Sequence, residues 1–195
     1  NEGPTDSSQE ICERFCQADS RFRLINQENK GQSAARNRGV KESIGEYLMF
    51  VDSDDVINKN VLEVLLPYMK TDVDIVECRM TRKKEEFYLN KPFKIVFEGN
   101  AKEAILNCIA IKEVKFCPVT KLYRREIVEK VPFLEGVIYE DVYTGINFFK
   151  NIRKMLVVDL TGYYYRFSSN SIMTTSFNEK NLDIFKVGNQ LIESF

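Results

Sequence analysis

The stretch Asn26–Asp55, NQENKGQSAARNRGVKESIGEYLMFVDSDD, constrains the fold more than any other part of the chain. It joins a Gly-interrupted helix carrying an Arg to a short apolar strand, and that strand runs out into Asp52, Asp54 and Asp55. In an α/β sheet the carboxyl end of a strand is where ligands normally bind. Strand side chains alternate, so Asp52 and Asp54 are expected on one side of an extended chain. Oxygen ligands of this kind suit a hard divalent cation that also holds phosphate oxygens. The segment reads as a site for a metal-bound nucleotide diphosphate. The plainer alternative is a solvated acidic turn, or a helix cap before Asn58.

The surrounding pattern alternates helix and strand. Ser7 and Glu10 have the spacing of a capping box, which opens a helix over 8–18. A strand is expected over 22–26 and a helix over 33–43, with Gly45 as its stop. Ala35 and Gly39 on that helix form a small face suited to close backbone approach. A buried strand follows over 46–51. A second capping box at Asn60 and Glu63 opens a helix whose Val61, Leu62, Leu65 and Leu66 make an apolar face. The next strand spans 73–78. Such alternation predicts a parallel α/β sheet.

Beyond residue 78 the pattern changes. Residues 79–99 read as a hairpin or irregular insertion, and Asn100 with Glu103 starts another capped helix. A short strand over 121–123, a helix over 140–150, strands over 155–158 and 163–167, and a terminal helix over 178–195 complete the expectation. Residues 1–78 are expected to form the ligand-binding part and 79–195 the second part, with the C-terminal helix, of one domain. The opening NEGPTDSS is a turn leading straight into a helix, an odd start for an α/β domain. A preceding strand–helix–strand piece of roughly 30 or more residues is expected to be missing from this chain.

Composition narrows the chemistry. Net charge is −1, which gives no electrostatic case for nucleic acid. No apolar run approaches a membrane span and no signal peptide opens the chain; a reducing cytoplasm is expected from the cysteine usage. The five Cys are odd in number and contain no CxxC, which argues against a disulfide framework or zinc site. Cys12 and Cys16, at helical spacing, read as reduced packing residues. His is absent, so acid–base chemistry falls to carboxylates, Lys, Tyr or Cys.

Several segments together resemble family 2 inverting glycosyltransferases. NEGPTDSS is similar to the family's DDGSTDGS turn, NKGQSAARNRG to NKGxxxARNxG, and GEYLMFVDSDD to GEYIxFLDSDD with its DxD motif. TKLYRRE resembles NKLYRRE, EGVIYEDVY resembles EGxxYEDxxF, and TGYYYRFSSNSI resembles the tail xxYYYRxxxxSI. The pieces run in the correct order over nearly the whole chain. The resemblance implies a GT-A fold: a Rossmann-like, mostly parallel central sheet flanked by helices, with a smaller acceptor-binding part. It also implies an N-terminal strand–helix–strand start that this chain lacks.

The resemblance implies roles as well. Asp54 is expected to ligate Mn²⁺ or Mg²⁺ bridging the donor diphosphate, and Asp52 to contact the ribose or the metal. Arg36 is expected to reach a phosphate or the base, since its donors form a planar fork. Asn29 and Lys30, in the loop before that helix, are donor-binding candidates, although a plain turn explains them equally well. Asp141 is expected to take the proton from an acceptor hydroxyl, with Glu140 as the rival base. Read as residues alone, two acids at a helix start simply complement the helix dipole. Glu2 is the candidate for the nucleobase, and Arg166 for closing over the diphosphate.

The implied activity is transfer of a sugar from a nucleotide-diphosphate sugar, a UDP-sugar above all, to an acceptor hydroxyl. The setting is cell-surface polysaccharide synthesis with a glycan or lipid-linked glycan acceptor, which would bring peripheral association with the inner face of the plasma membrane. A nucleotidyltransferase and a non-catalytic nucleotide-sugar-binding or scaffold domain are the alternatives.

Overall fold

The structure is a computed structural model of the 195-residue chain and describes residues 7–87, 93–166 and 178–193. Its centre is β3 (Ile75–Thr81), where Ile75, Val76 and Cys78 are buried. A strand apolar on both sides must be covered on both sides. Strand alternation sends Ile75 into one core with Tyr123, Phe148, Phe149, Met155 and Val157. Val76 and Cys78 enter another with Val61, Leu65, Leu122, Leu156, Val158 and Tyr163. Full burial of one such side chain contributes on the order of 1.5–3 kcal/mol.

Among the described residues six strands make one sheet in the order β1 (Tyr47–Met49), β5 (Lys121–Arg124), β3, β6 (Met155–Tyr164), β2 (Val56–Ile57), and β4 (Ile95–Gly99) also pairs with β6. The fold is the α/β, GT-A class expected from the sequence. The central pair, β3 with β6, is parallel. The pairings β1–β5, β3–β5, β2–β6 and β4–β6 are antiparallel. Direction depends on which distant strand each edge meets, and element alternation carries no such information. Residue 78, the expected end of the nucleotide-binding part, lies inside β3.

Helices α1 (Ser8–Ala18), α2 (Gln32–Glu42), α3 (Val61–Leu65), α4 (Lys84–Phe87), α5 (Ala101–Ile109), α6 (Arg125–Glu129), α7 (Glu140–Lys150) and α8 (Asp183–Glu193) complete the described elements. The expected helices over 8–18 and 140–150 form with those limits. The capping box at Asn100 forms in both directions, with bonds of 2.8 and 3.2 Å. Those at Ser7 and Asn60 do not form.

Other local expectations change. Residues 22–26 form no strand with another described residue, and Phe22 packs on Phe15 at 5.5 Å. Cys12 is exposed and α1 buries no residue, so Cys12 and Cys16 are not core packing. A Cβ on Gly39 would meet nothing within 4 Å, so the small face of α2 is not a close contact. On α3, Val61 and Leu65 are buried but Leu62 and Leu66 are 44% exposed, because a helix this short buries one narrow stripe. The strands expected over 155–158 and 163–167 fuse into β6, which β3 follows through two register shifts. The insertion over 79–99 supplies the end of β3, α4 and β4. The terminal helix begins as a 3₁₀ turn, Glu179–Leu182, before α8. Among the described residues no helix is long and apolar enough to cross a membrane.

Candidate active site

The acidic segment is a turn rather than an extended run. The Asp55 N–H donates to the Asp52 carbonyl at 3.1 Å, closing Asp52–Asp55 into a tight loop. Asp and Ser favour such turns because their short polar side chains bond nearby backbone. β2 follows at once and pairs Val56 with Tyr164 and Ile57 with Tyr163. The loop is therefore stitched to the end of β6. The Tyr163 hydroxyl donates to Asp55 Oδ2 at 2.7 Å and accepts the Asp52 N–H at 3.2 Å. The Arg166 N–H donates to Asp55 Oδ1 at 2.9 Å, and Arg166 Nε donates to the Asp54 carbonyl.

These contacts separate the three acids by role. Asp55 is a structural anchor. Burial pushes its carboxyl above the usual range, while the bonds from Tyr163 and Arg166 oppose that rise. Burial also pushes the Tyr163 phenol well above its usual range, so it stays protonated and able to donate. Asp52 is half-buried and turned toward α2: its Oδ1 accepts from Gln32 Nε2 at 2.9 Å and from Arg36 Nη2 at 2.8 Å. Asp54 is exposed, and its carboxylate takes no hydrogen bond among the described residues. Gln32 and Arg36 lie four apart on one helical face, a spacing that marks them as partners for a common target.

Arg36 carries the arrangement across the cleft. Its Nη1 donates to Glu140 Oε1 at 3.2 Å, at the first turn of α7. Its guanidinium lies over the Phe133 ring, 5.4 Å from the centroid. Phe133 in turn stands edge-on to Phe50 at 5.1 Å and to Phe148 at 5.7 Å. Burial raises the Glu140 carboxyl above its usual range; the neighbouring Asp141 charge adds to the rise and Arg36 opposes it. Asp141, beside it, accepts the Val142 N–H at 2.9 Å and meets no cation among the described residues.

Thus Arg36, Asp52, Glu140 and Arg166 lie in one linked set with the Asp54 and Asp141 backbone. Asn29 is exposed and caps the turn before α2, its Oδ1 accepting the Gly31 N–H at 3.1 Å. Gly31 needs its positive φ of 87° there. Lys30 borders an open hollow of about 500 Å³ with Arg38, Lys41 and Glu135, apart from the acids. Glu2 and the SSNSI segment lie outside the described residues. Phe133 and Tyr163 carry the site without any local signal of doing so, since each acts through a partner far away in the chain. Tyr123 and Lys121 are fully buried in the core.

All-oxygen donors suit Mn²⁺ or Mg²⁺, which take one or two carboxylates and fill their remaining positions with water and phosphate oxygens. Asp54, and the Oδ2 of Asp52 that α2 leaves unused, fit this requirement. Among the described residues no group of three or more His, Cys, Asp or Glu forms a complete protein cage.

The chain is similar to known proteins. The chain is 32% identical to the glycosyltransferase GlyG of Streptococcus pneumoniae over 91% of its own length and 63% of that protein's. It is 31% identical to GlyA of the same organism, over 88% of its length and 26% of that protein's. It thus spans less than two thirds of these relatives. Among solved structures, Staphylococcus aureus TarS 1–349 in complex with UDP-GlcNAc aligns at a TM-score of 0.78 and 20% identity, over 97% of this chain and 54% of that one. Mycobacterium tuberculosis glucosyl-3-phosphoglycerate synthase aligns at 0.58 and 14%, over 98% and 64%. The family model for glycosyl transferase family 2 matches residues 1–132, and the chain belongs to that family.

Proposed function

We propose that the chain is the catalytic part of a metal-dependent, inverting hexosyltransferase that moves a sugar from a nucleotide-diphosphate sugar to an acceptor hydroxyl. The observation that carries this reading is the bridge of Arg36 between Asp52 and Glu140. It places a DxD turn, suited to a diphosphate, beside a helix start that carries a second carboxylate. TarS in complex with UDP-GlcNAc, and the synthase in complex with Mn²⁺ and UDP-glucose, support a UDP-sugar as donor.

Asp141 is the general base. Glu140 is tied to a cation, whereas Asp141 is half-buried and meets none among the described residues, so its carboxylate is available to a hydroxyl. As the acceptor oxygen bonds to the anomeric carbon, its proton passes to Asp141 and the bond to the diphosphate oxygen breaks on the opposite side. Asp54 and Asp52 would hold Mn²⁺ or Mg²⁺, which when bound supplies positive charge beside the departing diphosphate. Arg166, which contacts Asp55 and the Asp54 carbonyl, is assigned to the diphosphate. Asn29 and Lys30, in the loop before α2, are assigned to the donor, and Glu2 to its nucleobase. The acceptor is a glycan or lipid-linked glycan of a cell-surface polysaccharide pathway, met at the cytoplasmic face of the plasma membrane.

The test is calorimetric binding of UDP, GDP and dTDP with and without Mn²⁺, together with transfer assays. Metal-dependent binding of one nucleotide, lost in Asp54→Asn, is expected. Asp141→Asn should bind donor normally and transfer nothing. Turnover retained in Asp141→Asn removes it from the base role; pyrophosphate as product would make the protein a nucleotidyltransferase. Binding without transfer or donor hydrolysis would make it a binding module.

A further inference from the structure

We infer that Arg36 is a positioning residue, which locks the start of α7, and with it Asp141, to the Asp52–Asp55 turn, and is not a ligand of the donor phosphates. The inference rests on the transferase reading above and changes the role of one of its residues.

Three observations carry it. First, the Arg36 side chain is only 9% exposed and already committed. One nitrogen binds Asp52, another binds Glu140, and the flat face of the guanidinium covers Phe133. Little of the guanidinium is left open to a diphosphate. Second, the surface under Arg36 is itself fixed. Asn37, the next residue, accepts the Phe133 N–H at 2.8 Å and donates back to the Phe133 carbonyl at 3.0 Å. Helix α2 is therefore clamped to Phe133 through both its backbone and its ring. Third, α7 needs an external tie. Its N-cap residue, Tyr139, makes no side-chain cap bond and sits in the left-handed region at φ 67°. A non-Gly residue persists there only when its surroundings hold it. Here the Tyr139 hydroxyl accepts from Asn181 Nδ2 at 3.0 Å, and Arg36 holds Glu140.

The consequence is geometric. Asp52 and Glu140 come from distant parts of the chain, 16 and 104 residues from Arg36. One planar fork sets their separation. Catalysis by a base depends on that separation, because a misplacement of about 1 Å can cost about 100-fold in rate. Lys cannot substitute, since an ammonium is a point charge that neither forks nor stacks.

The experiment compares wild type, Arg36→Lys, Arg36→Gln and Glu140→Gln. It reads UDP binding with Mn²⁺ by calorimetry, release of UDP from UDP-GlcNAc as kcat and KM, and hydrogen exchange of amides 52–55 and 140–145. Arg36→Lys should keep its UDP affinity and donor KM within about twofold, lose about 10- to 100-fold in kcat, and exchange faster at the start of α7. Glu140→Gln should reproduce the faster exchange, and adding it to Arg36→Lys should accelerate it no further. If Arg36→Lys does not fold, Glu140→Gln alone carries the exchange and kcat readings. UDP affinity falling in step with the rate would make Arg36 a phosphate ligand and overturn the proposal. Unchanged exchange at 140–145, or unchanged kcat, would overturn it as well. If wild type neither binds nucleotide nor releases UDP, the transferase reading fails, while the exchange arm still decides whether Arg36 locks α7.

Discussion

Replacing Lys121 with Met should cost about 3–5 kcal/mol of stability, because it strands a buried carboxylate. Glu77 and Lys121 are cross-strand partners on β3 and β5, with side chains 2% and 0% exposed. Lys121 Nζ lies 3.4 Å from Glu77 Oε2 and donates to the Cys117 carbonyl at 2.7 Å. Glu77 also accepts the Lys115 N–H at 3.3 Å and the Thr120 hydroxyl at 3.4 Å. Met fills most of the lysine stem, so the cavity cost is small. What remains is an uncompensated charge and an unserved carbonyl, the latter worth about 1–3 kcal/mol. Burial raises the Glu77 carboxyl above its ordinary value of 4.5, and the Lys121 charge opposes that rise. Without Lys121 the rise is larger. A carboxyl that binds its proton more tightly when folded favours folding below about 4.5 and loses that contribution as pH rises through the folded value. The variant should therefore be most defective at pH 8 and recover part of the loss at pH 5. Lys121→Met with Glu77→Leu removes both charges and should restore most of it. Urea unfolding of the wild type, both single variants and the double at the two pH values checks this. A loss under about 1 kcal/mol at pH 8, or a double variant no better than Lys121→Met, would refute the reasoning.

Gly145→Ala should lower the thermal midpoint: the new Cβ would sit 2.6 Å from the Phe116 carbonyl oxygen, a backbone atom that cannot swing aside. The helix-propensity gain of about 1 kcal/mol is outweighed by overpacking of about 1–3 kcal/mol or more, readable by calorimetry. Tyr163→Phe removes the donor to Asp55 and the acceptor of the Asp52 N–H. It should cost about 1–3 kcal/mol in urea unfolding and faster exchange of amides 52–55. Burial pushes the Cys78 and Cys108 thiols up to about 12. A thiol reagent at pH 8 should label exposed Cys12 readily and reach Cys78 and Cys108 only in denaturant, which mass spectrometry of the labelled peptides would show.

Much of this arrangement is legible in the chain because its causes are local. Helices α1 and α7 form over the eleven residues expected of each. The Asn100 cap follows from a partner three residues away. The DSDD acids and the Glu140–Asp141 pair are legible as two clusters of carboxylates. Other caps failed for equally physical reasons: Ser7 and Asn60 have suitable spacing, but their side chains make no cap bond, so spacing permits a cap without enforcing one. The extended reading of Asp52–Asp55 failed because β2 recaptures the chain at Val56, which requires a turn before it.

By itself the sequence determined the alternation of elements, the order of the family motifs, and the presence of two acidic clusters in a chain without His. Those properties depend on side-chain periodicity and type over a few residues. Only the tertiary structure decided strand direction, the division of Asp52, Asp54 and Asp55 into tied, free and anchored carboxylates, and the choice of Glu140 over Asp141 as the partner of Arg36. Each of these depends on which groups meet after distant segments pack, where burial strips away water and makes a single guanidinium between two carboxylates decisive.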